Sequence, residues 1–122
     1  MTREVGEGLY LTDILSAIDR ALAYTTAGRE QFTSDAKTQD AVIWNIEIIG
    51  QAAKAVSSAT RATHPEIPWA EISTTRDQVL EEYFRVDLDI VWAIVEKELP
   101  PLRERIAALL PAPQVLPSRE EL

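Results

Sequence analysis

Cysteine is absent from the 122-residue sequence, and histidine occurs once, as His64. Without cysteine the chain forms neither disulfides nor thiolate metal sites. A single histidine excludes a histidine-rich metal cluster and any Ser/His/Asp triad that does not include His64. Glycine is also scarce, at four residues, and no segment has the pattern of a glycine-rich phosphate-binding loop. We therefore expect a protein without a metal site and without a bound cofactor.

Basic residues are few as well, since 12 lysines and arginines stand against 20 acidic residues and leave a net charge of −8. Broad, nonspecific nucleic-acid binding requires a basic surface, so the composition argues against it while leaving room for a small cleft with a few arginines. No apolar run approaches the roughly 18 residues that a membrane span requires. The N-terminal region is polar and lacks the apolar core of a signal peptide. The sequence thus predicts a cytoplasmic protein without membrane contacts.

The apolar residues, 46% of the chain, recur at spacings of three and four rather than in alternation, which is typical of amphipathic helices. Length and apolar content favour one domain with a substantial core. We predict an all-α, up-and-down bundle of four to five helices in residues 1–110, followed by a flexible tail in residues 111–122. The predicted helices cover residues 9–27, 34–57, 75–84, 87–98 and 100–110.

The N-terminal connections follow from residue type. Residues 1–7 are predicted to precede the first helix as a polar lead. Gly28 is expected to stop that helix, because glycine readily adopts the left-handed conformation past a helix end. Residues 29–35 then form a short link, in which Phe32 is predicted to fill the core.

Further along, two prolines break the helical pattern between residues 63 and 69. Trp69 and Ile72 are predicted to anchor this linker to the bundle. The second helix carries apolar residues on more than one side, including Ile43 and Ile48. This breadth predicts either a second packing surface or a partner subunit.

The segment from Thr75 to Phe84 contains Arg76, Glu81 and Tyr83 in the spacing Arg-x4-Glu-x-Tyr, and an Asp-Leu-Asp-Ile-Val-Trp run follows it. The two runs together resemble the motif of the HepT-like toxins, a branch of the HEPN family of ribonucleases. That motif is Arg-x4-His-x-Tyr, followed by a helix containing Asp-Leu-Asp-x-x-Trp. The arginine and the tyrosine match, and Glu81 stands where the family has histidine.

Other segments are similar to the same family and occur in the same order, so that the resemblance extends from the first predicted helix to the fifth. The second-helix segment departs from the family at one position, where Gly-Gln-Ala replaces the usual Gly-Glu-Ala. The matching segments are Tyr10-Leu-Thr-Asp-Ile-Leu15, Ala41-Val-Ile-Trp-Asn-Ile-Glu-Ile-Ile-Gly-Gln-Ala52, Ile67-Pro-Trp69 and Glu98-Leu-Pro100.

The resemblance implies a small helical homodimer with a composite site at the subunit interface. It implies metal-independent RNA cleavage, with Arg76 and the Glu81 position as the catalytic pair. It also implies a nucleotidyltransferase antitoxin as the partner, which transfers AMP to the motif tyrosine, here Tyr83.

Glutamate is a poor replacement for the motif histidine. Its ordinary pKa of about 4.3 leaves it ionised at neutral pH, so Glu81 can accept a proton but does not readily donate one. Its charge would repel the RNA phosphate and could neutralise Arg76. We therefore predict weak or absent ribonuclease activity. The alternative is a non-catalytic HEPN relative that uses the same bundle to bind a nucleotidyltransferase.

Three polar residues are second-rank candidates for a groove beside the motif. They are Asn45, Glu47 and Asp77. Asn45 and Glu47 interrupt an apolar stretch, so they either face a groove near Arg76 or mark an exposed side of the second helix. Without the resemblance, Arg76 and Glu81 would be ordinary surface charges on an amphipathic helix.

Tyr83 has a second interpretation, as a core tyrosine with a solvated hydroxyl. His64 is predicted to be a solvated loop residue, and Asp87 is predicted to cap a helix rather than to bind a metal. The three tryptophans are interpreted as packing or interface residues rather than as platforms for base stacking. They are Trp44, Trp69 and Trp92.

Overall fold

The computed structural model describes residues 2–72 and 87–110, with side chains from residue 8 onward. This part of the chain is helical and contains no strand, which confirms the predicted all-α class. No helix within it is both long and apolar enough to cross a membrane. The helices are α1 (Thr2–Tyr24), α2 (Arg29–Ser34), α3 (Ala36–Ala55), α4 (Ser58–Thr63), α5 (Leu88–Ala93) and α6 (Leu99–Leu109), with a π-helical segment, Ile94–Glu98, between α5 and α6.

The core lies between α1, α3 and the helical run from α5 to α6. The two long helices α1 and α3 pack along each other, and α6 packs on α1. Arg103 of α6 donates to Asp19 of α1 across 2.5 Å at the edge of that contact. Burial of apolar residues from every one of these helices supplies the main stabilising term. The largest fully buried side chains are Phe32, Ile14, Ile18, Ile67, Ile106, Val42, Val56 and Val91.

The region after α1 differs from its prediction. Residues 29–34 form a helix rather than a link, and α1 ends at Tyr24, three residues earlier than expected. The hydroxyl of Thr25 explains the early end, because it donates to the carbonyl oxygens of Ala21 and Leu22. Gly28 has φ of 98°, a left-handed value that glycine tolerates without the cost of a Cβ. Contrary to the prediction, Gly28 does not stop the first helix; it lies four residues beyond the end of that helix and precedes α2 as the N-cap residue.

Phe32 fills the core as predicted, with no exposed surface. Its ring centroid lies 5.5 Å from that of Trp92. Because deletion of a buried phenyl ring loses apolar burial and leaves a cavity, Phe32→Ala should destabilise the fold by about 3–5 kcal/mol. Urea denaturation measures this change. The exposed neighbour Thr33 provides the control, since Thr33→Ala should stay within about 0.5 kcal/mol. Equal losses for both variants would contradict the packing role of Phe32.

Two further differences concern segments with weak apolar patterns. Residues 2–7 belong to α1 instead of preceding it, because adding residues to an existing helix costs far less than nucleating one. Helix α4 lies in the stretch where the second predicted helix had lost its periodicity. It buries none of its residues, so it leaves no apolar period in the sequence. The Ser57 hydroxyl caps it by accepting from the amide of Thr60.

Helices α5 and α6 are separated as predicted near Glu98, but the chain stays helical through the π segment. Asp87 caps α5, since its carboxylate accepts from the amides of Asp89 and Ile90 at 2.9 and 3.4 Å. The prolines at positions 100 and 101 lack amide hydrogens, which disrupts ordinary helical hydrogen bonding. A π turn lies immediately before the two prolines, at the point where the helical hydrogen bonding is disrupted. In it, the amide of Leu99 donates to the carbonyl of Ile94, five residues back.

Candidate functional site

The motif residues predicted from the sequence fall outside the described residues. They are Arg76, Asp77, Glu81 and Tyr83. The residues on both sides of this segment are described and are attached to the core. Trp69 is buried as predicted, with its indole nitrogen donating to the carbonyl of His64 at 3.0 Å, and Ile72 packs against the core. On the other side, Leu88 packs against the same core.

Asn45 of α3 is the candidate with the best-defined surroundings. Only 2% of the residue is exposed, so it does not mark an exposed side of the helix. Its amide nitrogen donates to the carbonyl of Ala41 at 2.8 Å, and its amide oxygen accepts from Nε of Arg20 at 2.9 Å. Both ends of a buried amide are thereby satisfied, which removes the cost of burying it. Glu47, two residues further on, is half-buried.

Arg20 of α1 was not among the residues predicted from the sequence. The residue is exposed, but its Nε is held against the side chain of Asn45. A guanidinium has five N–H donors in a planar fork, and Asn45 occupies only one. Within the described part of the chain, the two terminal nitrogens of Arg20 have no hydrogen-bond or ion-pair partner. The sequence carried one weak signal for this contact, namely an asparagine inside an apolar helical stretch, which requires a polar partner.

A separate apolar pocket of about 220 Å³ lies between α3, the π segment and α6. Isoleucine, leucine and proline side chains form its wall, and four charged residues stand at its edge. The pairs of opposite charge leave it without a net preference for anions or cations. The charged residues are Glu71, Lys97, Glu98 and Arg105.

The acidic residues after the motif act as structural groups. Asp87 caps α5 as predicted, and Asp89 accepts from Arg29 at 2.5 Å in an exposed ion pair. His64 is half-buried, with Nδ1 3.4 Å from a carboxylate oxygen of Glu66. Within residues 8–72 and 87–110, no three histidine or acidic side chains are grouped so as to hold a metal ion.

Trp44 differs from the other two tryptophans. Trp69 and Trp92 are buried in the core, whereas 61% of Trp44 is exposed. Packing within this chain therefore accounts for Trp69 and Trp92 only. For Trp44, the interpretation as an interface residue stays a prediction.

Residues 14–109 match the family described as HepT-like, ribonuclease HepT-like. The chain is 40% identical over 101 residues to "Probable ribonuclease HepT" of Thermococcus cleftensis, covering 82% of this chain and 92% of that protein. It is 39% identical over 103 residues to a Methanocaldococcus jannaschii protein and 36% identical over 81 residues to one from Caldanaerobacter subterraneus, and both names include "putative RNase". The alignment with the Methanocaldococcus jannaschii protein covers 84% of this chain and 46% of that protein. The alignment with the Caldanaerobacter subterraneus protein covers 66% of this chain and 72% of that protein. The name of the Methanocaldococcus jannaschii protein also includes a gamma-glutamylcyclotransferase. No solved structure matches the chain.

Proposed function

The chain belongs to the HepT-like ribonuclease family, and on this premise we propose that it is the toxin component of a toxin–antitoxin pair. One observation carries the proposal. The family match over residues 14–109 spans the motif, and the motif retains Arg76 and Tyr83 while replacing its histidine with Glu81. We further propose that this replacement leaves the chain weakly active or inactive as a ribonuclease.

The chemistry of RNA cleavage explains why the replacement matters. The 2′-hydroxyl loses a proton and attacks the adjacent phosphorus, the P–O bond to the 5′-oxygen breaks, and that oxygen gains a proton. Arg76 suits the phosphate, because a guanidinium pairs with two phosphate oxygens and stabilises the charge that develops on them. Histidine can serve as the acid or the base near neutral pH. Ionised Glu81 can serve only as a base, and it brings a negative charge towards the phosphate.

The spacing of the motif favours a homodimer. On an ideal helix, Arg76 and Tyr83 share nearly one face about 10 Å apart, while Glu81 lies about 140° around from Arg76. A single straight helix does not converge the three side chains on one phosphate. Two copies that meet across a two-fold axis could do so, with the arginine of each subunit serving the site of the other.

Subunit mixing tests this arrangement. The unsubstituted chain lacks the histidine, and a variant with both Glu81→His and Arg76→Ala lacks the arginine, so each alone should cleave RNA at background level. Their mixed dimer should contain one complete site, with histidine from one subunit and Arg76 from the other. We expect the mixture to cleave RNA after subunit exchange, as measured on a labelled oligonucleotide. A mixture that forms mixed dimers but stays at background would contradict the shared site.

The proposed partner is a nucleotidyltransferase antitoxin that transfers AMP from ATP to Tyr83. In this reaction the phenol oxygen attacks the α-phosphorus, the bond to the β-phosphate breaks, and pyrophosphate leaves with the phenol proton released to solvent. The product carries a phosphodiester beside the motif. Its volume and negative charge would oppose the binding of an RNA phosphate at the same place.

The substitution at position 81 also favours a second candidate function, that of a non-catalytic partner which only binds the nucleotidyltransferase. RNA cleavage by the unsubstituted chain and by Glu81→His distinguishes the two. A cleaving histidine variant supports the toxin assignment. Two inactive chains, with the fold intact by circular dichroism, support the binding partner instead.

A further inference from the structure

The side chain of Arg20 is positioned like a recognition group rather than a free surface charge. A flexible exposed arginine loses considerable rotamer entropy when it binds a ligand. Here Nε is already fixed by the buried amide of Asn45, which is itself fixed by the carbonyl of Ala41. The remaining fork of two terminal nitrogens is therefore held in place before any ligand arrives.

Arg20 differs in its charge environment from Arg29 and Arg103. Arg29 is paired with Asp89 and Arg103 with Asp19, each at 2.5 Å. Arg20 contacts a neutral amide instead, and keeps its full positive charge. In a chain with a net charge of −8, a guanidinium that is fixed by a neutral amide suits a phosphate in geometry as well as charge.

The surface next to Arg20 is a groove between α1 and α3. Tyr10 and Asp13 line it from α1, while Ile48, Gln51 and Lys54 line it from α3. Residues three, four and seven apart share one face of a helix. Arg20 lies seven residues after Asp13, so it continues the α1 side of the groove.

The α3 side continues in the same way to Trp44, which lies four residues before Ile48. The indole ring is 61% exposed. Helices α1 and α3 run antiparallel, since Arg20 meets Asn45 while Asp13 lies near the later residues of α3. Arg20 and Trp44 are not among the residues that line the groove, but by helical spacing they extend its two sides at the same end.

We propose that the end of the α1–α3 groove formed by Arg20 and Trp44 binds one nucleotide of single-stranded RNA, with the phosphate on Arg20 and the base against the Trp44 ring. Single-stranded RNA is commonly bound by such combinations of a cation for the backbone and an aromatic face for a base. The inference rests on the proposed function, because it assigns a second contact for the RNA on which that function depends.

The groove itself carries one acidic residue, Asp13, and one basic residue, Lys54, so its lining has no net charge. Arg20 lies about 10 Å from Asp13 along the axis of α1 and adds a positive charge at the end of the groove.

The test measures binding of a fluorescent single-stranded RNA to the unsubstituted chain by anisotropy at several salt concentrations. The main variant is Arg20→Gln, because the glutamine amide places an N–H donor where the arginine Nε lies and keeps Asn45 satisfied. It removes the charge and both terminal nitrogens. The matched control is Arg29→Gln, which removes the same charge from an arginine paired with Asp89. The second variant is Trp44→Ala.

We expect Arg20→Gln to weaken binding roughly tenfold and to reduce the slope of log K against log salt by about 0.7, the value for one phosphate of a single strand. Trp44→Ala should weaken binding by roughly tenfold without changing the slope, because stacking is uncharged. Arg29→Gln should change the affinity by less than about twofold.

Three results would overturn the inference. Equal losses for Arg20→Gln and Arg29→Gln would mean that net charge alone governs binding. A Trp44→Ala variant that turns a dimer into a monomer at unchanged RNA affinity would identify this face as a subunit interface. The third result concerns Arg20→Gln made in the Glu81→His chain. If this substitution changes neither RNA cleavage nor RNA affinity, Arg20 does not contact the RNA, while the proposed function still stands.

Discussion

RNA cleavage is expected to rise by about 10²–10⁴-fold when Glu81 is replaced by histidine, the range typical of one general acid–base group. Histidine has an ordinary pKa of about 6.5, so at neutral pH it is present in both protonation states. It can take the proton of the 2′-hydroxyl or protonate the leaving oxygen. The measurement compares initial cleavage rates of the two chains on the same labelled RNA.

The histidine variant also removes an unfavourable charge. Ionised Glu81 repels the phosphate, and a carboxylate near Arg76 would pair with the guanidinium that the phosphate requires. Binding and chemistry should therefore improve together, which predicts a lower KM as well as a higher kcat. A rise in kcat alone would indicate that Glu81 does not compete for Arg76.

The control for this experiment is Arg76→Ala in the Glu81→His chain. Loss of a guanidinium that stabilises phosphate charge typically costs about 10²–10³-fold in kcat, so this variant should return to background. If the unsubstituted chain already cleaves as fast as the histidine variant, our argument about the protonation of Glu81 is wrong. A pKa raised by burial would then be the required explanation.

The helices that the sequence predicted best are those with a long apolar period. The helix at 34–57 was placed within two residues, because its apolar period is long and Asp35 is a strong cap whose carboxylate accepts from the amide of Lys37. Phe32 was correctly placed in the core, although its own helix was not predicted. A six-residue helix with a single buried residue is too short for a period to appear.

The site was less predictable than the fold, and for a physical reason. The spacing of the motif identified Arg76, Glu81 and Tyr83 by residue type alone. Such an identification does not depend on how the helices pack. The contact between Arg20 and Asn45 joins two residues that are 25 positions apart in the chain and lie on different helices, and nothing local to either residue specifies it. Asn45 was singled out as a polar residue in an apolar stretch, but its partner emerges only when α1 and α3 are packed together.

Transfer of AMP to Tyr83 is expected to abolish the cleavage gained by Glu81→His. The adenylyl group adds a negative phosphodiester next to Arg76 in the motif, where it can occupy the guanidinium that would otherwise bind RNA. The histidine variant, treated with the nucleotidyltransferase and ATP, should gain the mass of an adenylyl group and lose its activity in proportion. Peptide mapping should place the group on Tyr83.

The matched control is Tyr83→Phe in the Glu81→His chain, which keeps the aromatic ring and removes only the attacking oxygen. This variant should cleave RNA before and after treatment with the nucleotidyltransferase and ATP, with no change in mass. If the phenylalanine variant loses RNA cleavage after treatment without a change in mass, the nucleotidyltransferase inhibits by binding alone. Loss of cleavage before any treatment would instead assign the Tyr83 hydroxyl a direct part in catalysis, since the two side chains differ by that hydroxyl and nothing else.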